Sequence, residues 1–409
     1  MSGIVLPLSQ TPEICHSCLP TLSGGYGGVN LPQHPSKQAP SGEDSVLKTI
    51  SAWFRSENRA QPGQKRGEAQ VSASAHHWYF NKRPKDVIEA DTLVLREDPI
   101  PALKQGELLV RTLYMSLDAT NRVWMSDWDT YMDPLPLGSR MLGFVLGEVA
   151  ESRNPAFPQG SLVTGLGTWS DYFVTDGVGY VPFPKPEGVP LADAFGILSV
   201  AGPTAYVGLL EIGKPKPGDT VVVTAAAGAV GALVGQIAKL HGCRVVGVAG
   251  SEDKCRWLTD ELGFDAAIDY RKENVLDALK REAPNGIDVH FENVGGEQLD
   301  AGLTLMNDGG RVVICGLIST YNSSEPVPGP YMFRNVIMKR LTIQGFVILD
   351  YAEHFAEYNA KLVEWMRTGK LKYRLHIVDG LKNARDALGL LYTGGNNGKL
   401  MVRIGKESA

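Results

Sequence analysis

Residues 221–240 read VVVTAAAGAVGALVGQIAKL, which predicts a buried β-strand, a tight turn and an α-helix. The run begins with three valines, and apolar residues then recur at helical spacing at Val230, Leu233, Val234, Ile237 and Leu240. Residues 221–238 carry no charge, a length that also approaches a membrane span. Because glycine and alanine fill the middle, we favour the strand, turn and helix.

The turn carries an A-x-G-x-x-G version of the dinucleotide-binding fingerprint, at Ala226, Gly228 and Gly231. Where side chains are missing, backbone N–H groups approach a pyrophosphate closely, and the helix N-terminus adds partial positive charge. The motif alone leaves open a glycine-rich structural turn that binds no cofactor.

The next strand indicates which dinucleotide is preferred. Residues 244–250 read RVVGVAG, and an NAD-binding unit usually places Asp or Glu at this strand end for the ribose hydroxyls. Here Gly250 is followed by Ser251 and Lys254, a hydroxyl and an ammonium that suit a 2′-phosphate. NADP is therefore favoured over NAD. Taken singly, Ser251 is also consistent with a helix N-cap and Lys254 with a solvated side chain.

The composition is that of an ordinary globular protein, with 409 residues, 43% of them hydrophobic and 21% charged. A net charge of −5 gives no basic patch, so we expect no nucleic acid as a partner. No apolar segment with a basic flank marks a secretory signal, and we expect no membrane partner. Five cysteines form no disulfide framework, which predicts a reducing, cytoplasmic location. The C-x-x-C at Cys15 and Cys18 has no second pair and is interpreted as incidental.

Four segments are predicted. Residues 1–75 are rich in Ser, Gly, Pro and Gln and are expected to be disordered, apart from a short amphipathic helix at 46–54. A targeting function for this extension is not excluded. Residues 76–202 predict a mostly antiparallel β-domain, and in residues 203–345 strands and helices alternate, which predicts a doubly wound parallel sheet. Residues 346–409 are expected to return to the β-domain.

The chain resembles the medium-chain dehydrogenase/reductase superfamily over residues 78–404. It is most similar to the zinc-free branch of prostaglandin reductases, leukotriene hydroxydehydrogenases and alkenal double-bond reductases. The motifs are AAAGAVG at 225–231, GSEDK at 250–254, DY at 269–270, ENVGGE at 292–297, CGLISTYN at 315–322 and NNGK at 396–399. The resemblance implies an α/β fold in which a Rossmann sheet is inserted in a GroES-like β-domain. It also implies NADPH-dependent reduction of the C=C bond of a small enone or enal, and a homodimer.

The residues themselves argue against a catalytic zinc. Between His77 and His241 the chain has neither Cys nor His, the ligands that such a site needs, so no metal site is predicted. Where zinc-dependent relatives carry Gly-His-Glu, this sequence has Gly143, Phe144 and Val145. Alcohol oxidation then lacks its Lewis acid, whereas C=C reduction needs chiefly hydride delivery and enolate stabilisation. A zinc-free quinone reductase and a non-catalytic NADPH sensor remain alternatives.

The resemblance also implies site residues. The pyrophosphate would lie on the glycine turn at 228–231, the 2′-phosphate on Lys254, and the adenosine beside Tyr270. The nicotinamide end would contact the segment 315–321, and Asn396, from the C-terminal part, would close over the cofactor. The implied cofactor-binding residues are Gly228, Ala229, Val230, Gly231, Lys254, Tyr270, Asn293, Cys315, Tyr321, Phe346, Ile348 and Asn396.

Tyr321 is the predicted catalytic residue, because its phenol is suited to hydrogen-bond the substrate carbonyl as negative charge develops on the oxygen. Without the family context, a tyrosine in a polar STYN segment is better explained as part of a surface turn. Asn293 likewise has an ordinary alternative, as a cap before Gly295 and Gly296.

One segment departs from the family pattern. Members often read S-x-D-P-Y-M-R after the second strand of the β-domain, whereas residues 116–122 read SLDATNR, without the Pro and Tyr. That Tyr often faces substrate. The aromatic cluster that follows predicts either a pocket wall or core packing, at Trp124, Trp128, Tyr131 and Met132. Arg122 is predicted either to steer an anionic group or to form a structural ion pair.

Overall fold

The computed structural model describes residues 73–323 and 325–407. The predicted helix at 46–54 and the pair Cys15 and Cys18 lie outside the described residues. Of the extension predicted to be disordered, only residues 73–75 are described. Two of these, Ser74 and Ala75, already belong to the first strand.

The N-terminal part is an antiparallel β-structure, as predicted. Strands β1 and β2 pair as a two-stranded ribbon, and β3 is the central strand of a larger sheet, because it pairs with both β4 and β6. A short helix, α1, follows β3. The bounds are β1 Ser74–Phe80, β2 Leu93–Pro99, β3 Leu108–Ser116, α1 Thr120–Trp124, β4 Leu142–Ser152, β5 Leu162–Thr168, β6 Tyr172–Thr175 and β7 Tyr180–Pro182.

Two apolar helices lead into the second sheet. They are α2, Leu191–Leu198, and α3, Ala201–Tyr206, which continues as a π-helix over Val207–Gly213. Among the described residues, no single helix has the length and apolar composition to cross a membrane. Taken together, the helices of this pair are long and apolar enough, but they are bent by 42° relative to each other.

The second sheet contains six parallel strands in the order β10-β9-β8-β11-β12-β13, with β8 in the position that starts a doubly wound fold. The bounds are β8 Thr220–Val223, α4 Ala229–Leu240, β9 Arg244–Ala249, α5 Glu252–Arg256 with a π-helix at Trp257–Glu261, β10 Ala266–Asp269, α6 Val275–Glu282, β11 Ile287–Glu292, α7 Gly296–Leu305, β12 Met306–Ile314, α8 Asn335–Met338 and β13 Thr342–Gly345. The predicted Rossmann sheet is confirmed, and residues 221–240 form its first strand, turn and helix.

The C-terminal part adds two strands to the first sheet. β14 pairs with β15, and β15 pairs with β3, so the larger sheet has the order β14-β15-β3-β4-β5-β7. The bounds are α9 Phe355–Arg367, β14 Leu375–Asp379, α10 Ala384–Thr393 and β15 Lys399–Arg403, with short 3-10 helices at Ile318–Thr320, Ile348–His354 and Leu381–Asn383. One core cluster contains Leu146 of β4, Val223 of β8 and Leu362 of α9, so the two sheets share buried contacts. The domain limits at 76, 203 and 346 stay a prediction.

Candidate active site

The glycine turn joins β8 to α4 in a conformation that leaves no room for a side chain at Gly231. Ala225 adopts φ +46°, and Ala226 donates its N–H to the carbonyl of Val248 at 2.9 Å. A Cβ on Gly231 would lie 2.6 Å from the Ala225 carbonyl oxygen, so only glycine fits there. Gly228 is the N-cap of α4, whose first N–H groups have no partner within the helix. The turn therefore has the shape and polarity of an anion cradle.

Two cations lie at the end of the second and third strands. Lys254 is half-buried and its Nζ donates to the carbonyl of Gly394 at 2.8 Å, while the Arg271 guanidinium donates to the carbonyl of Thr393 at 2.8 Å. Burial, and then the nearby Arg271, lower the pKa of Lys254. No salt bridge joins either cation to a carboxylate in the described part of the chain. Lys254 is thus not a freely solvated side chain, and sequence reasoning did not single out Arg271.

Ser251 and Gly250 each have a structural role at this strand end. The Ser251 hydroxyl accepts the N–H of Lys254 at 3.3 Å, which makes it the N-cap of α5. A Cβ on Gly250 would lie 2.9 Å from the ring of Tyr270, so the glycine lets the Tyr270 ring pack onto the strand end. The Arg271 guanidinium carbon is 5.8 Å from the centre of that ring. Tyr270, Lys254 and Arg271 therefore share one edge of the sheet.

Asn293 connects the ends of β11 and β8. Its backbone N–H donates to the Thr224 hydroxyl at 2.8 Å and its side chain donates to the Thr224 carbonyl at 2.7 Å. The fully buried carboxylate of Glu292 accepts from Thr224 Oγ1 at 2.8 Å, from the Gly295 N–H at 2.8 Å and from His290 Nε2 at 2.6 Å. Burial raises the pKa of Glu292, but these bonds outweigh it and hold the pKa below its usual value. The anionic carboxylate fixes the turn that presents Asn293.

The loop after β12 carries Cys315 and Tyr321. Cys315 donates its N–H to the Glu292 carbonyl at 2.9 Å, and burial raises the pKa of its thiol to about 12, so it is protonated and unreactive at neutral pH. The Tyr321 hydroxyl accepts the backbone N–H of Leu317 at 3.1 Å. Burial raises the pKa of Tyr321 above its usual value. The phenol thus keeps its own proton for donation to another oxygen.

Phe346 and Ile348 follow the last strand, and Asn396 lies in the C-terminal part. Phe346 packs edge-on to Tyr351, with ring centres 6.4 Å apart, and both Phe346 and Ile348 are half-buried. The Asn396 side chain donates to the Gly398 carbonyl at 2.9 Å. A small crevice is lined by both Gly228 and Gly398, so the turn that holds Asn396 lies beside the glycine turn. The structure therefore gathers the predicted residues at the carboxyl ends of the parallel strands.

The SLDATNR segment is largely structural. Lys399, which sequence reasoning left without a role, is buried and pairs with Asp118, and its Nζ also donates to the Ser116 hydroxyl at 2.6 Å. Arg122 is 2% exposed and donates to the carbonyls of residues 84–86. Among the described residues, no carboxylate forms an ion pair with Arg122, so the predicted structural ion pair is not found, and at 2% exposure the side chain is too buried to steer an anionic group.

The aromatic cluster divides between core and cavity. Trp124 and Met132 are buried, and the Trp124 ring packs 6.4 Å from Phe144. Trp128 and Tyr131 are 38% and 37% exposed, and Trp128 lines a cavity of about 1260 Å³ together with Leu317 and Thr320 of the Tyr321 loop, Tyr270 and the apolar segment 326–333. In the described ranges, no group of three or more His, Cys, Asp or Glu side chains is arranged to hold a metal ion.

Family models match both parts of the chain. Residues 76–183 match the N-terminal domain of oxidoreductase, and residues 229–367 match the family described as zinc-binding dehydrogenase. The sequence is 41% identical over 332 residues to NADPH-dependent curcumin reductase of Escherichia coli, a match that covers 80% of this chain and 96% of that protein. It is 40% identical over 304 residues to the NADP⁺-dependent 2-alkenal reductase of Nicotiana tabacum, covering 74% and 88%.

Among solved structures, the fold is similar to that of CurA from Vibrio vulnificus in complex with NADPH. The TM-score is 0.77 at 40% sequence identity, and the match covers 81% of this chain and 100% of that one.

Proposed function

Because the chain belongs to the medium-chain dehydrogenase/reductase superfamily, in its zinc-free branch, we propose that it reduces the C=C bond of α,β-unsaturated ketones or aldehydes with NADPH. The observation that carries this proposal is that one edge of the parallel sheet carries the glycine turn, the protonated Tyr321 and Lys254, which pairs with no carboxylate among the described residues. The relatives that act on curcumin and on 2-alkenals support it.

The residues present fit a phosphorylated dinucleotide. The missing Cβ at Gly231 lets α4 pack closely on the backbone of Ala225 and Ala226, and the first turn of α4 offers a pyrophosphate N–H groups that have no partner within the helix. Among the described residues, the side-chain hydrogen bonds of Lys254 and Arg271 go to carbonyl oxygens, which are weaker acceptors than a phosphate dianion. We propose that both cations hold the 2′-phosphate, with Tyr270 beside the adenosine.

The remaining proposed ligands follow the strand ends. Asn293 and the loop from Cys315 to Tyr321 would lie along the nicotinamide ribose, with backbone groups near Phe346 and Ile348 at the carboxamide. Asn396 approaches from the C-terminal part. Bound in this way, NADPH supplies the hydride.

Tyr321 is the residue that we assign to the chemistry. Its hydroxyl oxygen accepts the Leu317 N–H, which orients the phenol, and its own proton is directed to the substrate carbonyl oxygen. As a C–H bond forms at the β-carbon, the electron pair of the C=C bond shifts toward the carbonyl and leaves an enolate. The phenol stabilises this oxygen, and a proton from solvent then reaches the α-carbon.

A rate comparison tests the proposal. We expect purified protein to oxidise NADPH in the presence of an alkenone, with the saturated ketone as product, and to be slower with a quinone of similar size. Faster turnover of the quinone would assign the chain to quinone reduction. Tight NADPH binding without turnover of either substrate would indicate a non-catalytic sensor. A series of enones of graded chain length then defines the pocket.

The edge of the parallel sheet also supports the predicted homodimer. β13 is the last strand of its sheet, and the exposed apolar residues Tyr331, Phe333, Ile337 and Met338 lie in the segment before it. An unpaired edge beside an apolar patch is a surface that proteins normally cover. We propose that a second copy of this chain covers it. The cytoplasmic location stays a prediction.

A further inference from the structure

The SLDATNR segment lacks the tyrosine of the family motif, but it forms a hydrogen bond to another phenol, that of Tyr131. Aligned with S-x-D-P-Y-M-R, Thr120 stands where the tyrosine would be, and its Oγ1 is hydrogen-bonded to the hydroxyl of Tyr131. The indole N–H of Trp124 donates to the same hydroxyl oxygen at 3.0 Å. Trp124 is only 3% exposed, so it is a fixed donor. Two residues of α1 thus anchor a phenol that lies outside the family motif.

The hydrogen bonds of Tyr131 allow its hydroxyl to donate to a ligand. An indole N–H only donates, so the phenol oxygen is the acceptor in that bond. Thr120 Oγ1 has no other hydrogen-bond partner among the described residues, and when it donates as well, the phenol oxygen accepts twice and its own O–H is free. The side chain is 37% exposed, so a ligand can reach it.

Tyr131 also lies near the loop that carries Tyr321. Trp128, three residues before it, lines the same cavity as Leu317 and Thr320, and Leu317 is the residue that donates to the Tyr321 hydroxyl. Burial raises the pKa of Tyr321, and the charge of an ionised Tyr131 would raise it further. Burial raises the pKa of Tyr131 despite its bonds to Thr120 and Trp124, so the phenol is a neutral donor at physiological pH.

We infer that Tyr131 and Tyr321 act as a pair of phenol donors to the substrate carbonyl oxygen, and that Thr120 is a positioning residue for Tyr131. This inference rests on the proposed function, since the oxygen that both phenols bind is the one that becomes the enolate. As hydride forms the C–H bond at the β-carbon, the displaced electron pair moves onto this oxygen. Both phenols keep their protons, and the α-carbon is protonated from solvent.

The test uses Tyr131→Phe and Thr120→Val, with Tyr79→Phe as the matched control. Tyr79 lies in β1 and its hydroxyl bonds to Asp98, so its loss removes a phenol outside the site. We expect Tyr131→Phe to lower kcat with an enone about 100-fold at unchanged NADPH affinity, since one oxyanion donor is lost. Thr120→Val should lower kcat about fivefold, the effect of one neutral hydrogen bond, and Thr120→Ser should restore it. Tyr79→Phe should match the wild type.

A binding measurement separates this inference from the proposed function. 4-Nitrophenolate mimics an enolate, and its affinity for the NADP⁺ complex, followed by absorbance, should fall in Tyr131→Phe but not in Tyr79→Phe. Wild-type kcat and phenolate affinity in Tyr131→Phe would overturn the inference and leave the reductase activity standing. If the wild type reduces no enone but Tyr131→Phe still loses phenolate affinity, the proposed function fails and the donor pair stands. A wild type that neither reduces enones nor binds phenolate overturns both.

Discussion

The ammonium of Lys254 donates to the carbonyl oxygen of Gly394 at 2.8 Å, so a side chain at the edge of the parallel sheet binds the C-terminal end of α10. Arg271 donates to the preceding carbonyl, that of Thr393. Carbonyls at a helix C-terminus carry partial negative charge and so attract cations. A phosphate is a stronger acceptor than these carbonyls. We therefore expect NADPH to draw both cations away from the helix end.

Lys254→Ala should weaken the use of NADPH far more than that of NADH. A hydrogen bond to a charged group is lost only with the phosphorylated cofactor, so KM for NADPH should rise about 10- to 100-fold. Arg271→Ala should act in the same direction. Steady-state kinetics with both cofactors measures the ratio.

Lys272→Ala is the matched control for this experiment, because Lys272 is the next residue after Arg271 but is already paired with Glu252 at 2.7 Å. It should leave both KM values unchanged. If Lys254→Ala raised KM for NADPH and for NADH equally, Lys254 would not contact the 2′-phosphate, and its hydrogen bond to Gly394 would be its only assigned contact.

Tyr321→Phe should lower turnover more than cofactor affinity. The phenol proton is directed to charge that develops only in the transition state, so kcat should fall about 100-fold while the Kd for NADPH changes little. Stopped-flow hydride transfer and fluorescence titration of NADPH measure the two separately. Unchanged hydride transfer would exclude Tyr321 as the enolate stabiliser.

The pH dependence should show no loss of this donor near neutrality. Only the protonated phenol donates, and burial raises the pKa of Tyr321, so its proton is lost only above the ordinary tyrosine value of about 10. We expect kcat for hydride transfer to be level from about pH 6 to pH 9. A decline centred below pH 9 that is absent from Tyr321→Phe would contradict this assignment.

The sequence predicts the parallel sheet well because its elements are local and strongly patterned. Residues 266–269, 275–282 and 287–292 form β10, α6 and β11, which lie in the region where strands and helices were predicted to alternate. The carboxyl ends of parallel strands meet at one edge, so motifs that follow those strands were expected to lie together there. β13 and β14 are short, half-buried or exposed, and have no continuous apolar run, so no sequence pattern indicates them.

The contacts that complete the site were not predictable, because they join residues that are far apart in the chain. Lys399 and Asp118 come from β15 and from the segment after β3, which become neighbours only when the sheet closes. The contact of Arg271 with Thr393 depends on where α10 ends. The contact of Thr120 with Tyr131 spans a loop with no periodic pattern, so no sequence signal indicated it.

Ile337→Glu should weaken the proposed dimer. Ile337 is 76% exposed beside the edge strand β13, and a charge there would be desolvated on pairing. Light scattering should show a shift from dimer to monomer at a fixed concentration. Val87→Glu is the control, since Val87 is 63% exposed in the β-domain. A wild type of monomer mass would overturn the proposed dimer.

Two glycine-to-alanine substitutions on helices should have opposite effects, because only one of the glycines is held against the cofactor turn. A methyl group at Gly231 would lie 2.6 Å from the Ala225 carbonyl oxygen and 2.8 Å from the Ala226 Cα, and backbone atoms there cannot yield without moving the turn. Gly231→Ala should therefore lower stability by about 1–3 kcal/mol and abolish tight NADPH binding.

Gly389 in α10 has open space around it, since in the part of the chain that the structure describes no atom outside its own helix lies within 4 Å of the position that a Cβ would take. Alanine there meets no neighbour and gains helix propensity, so Gly389→Ala should raise the free energy of unfolding by up to about 1 kcal/mol with unchanged affinity for NADPH. Denaturant unfolding and calorimetric titration of NADPH measure the two effects on each variant. If Gly231→Ala binds NADPH as tightly as Gly389→Ala does, the close approach of α4 to the turn is not what forms the cofactor cradle.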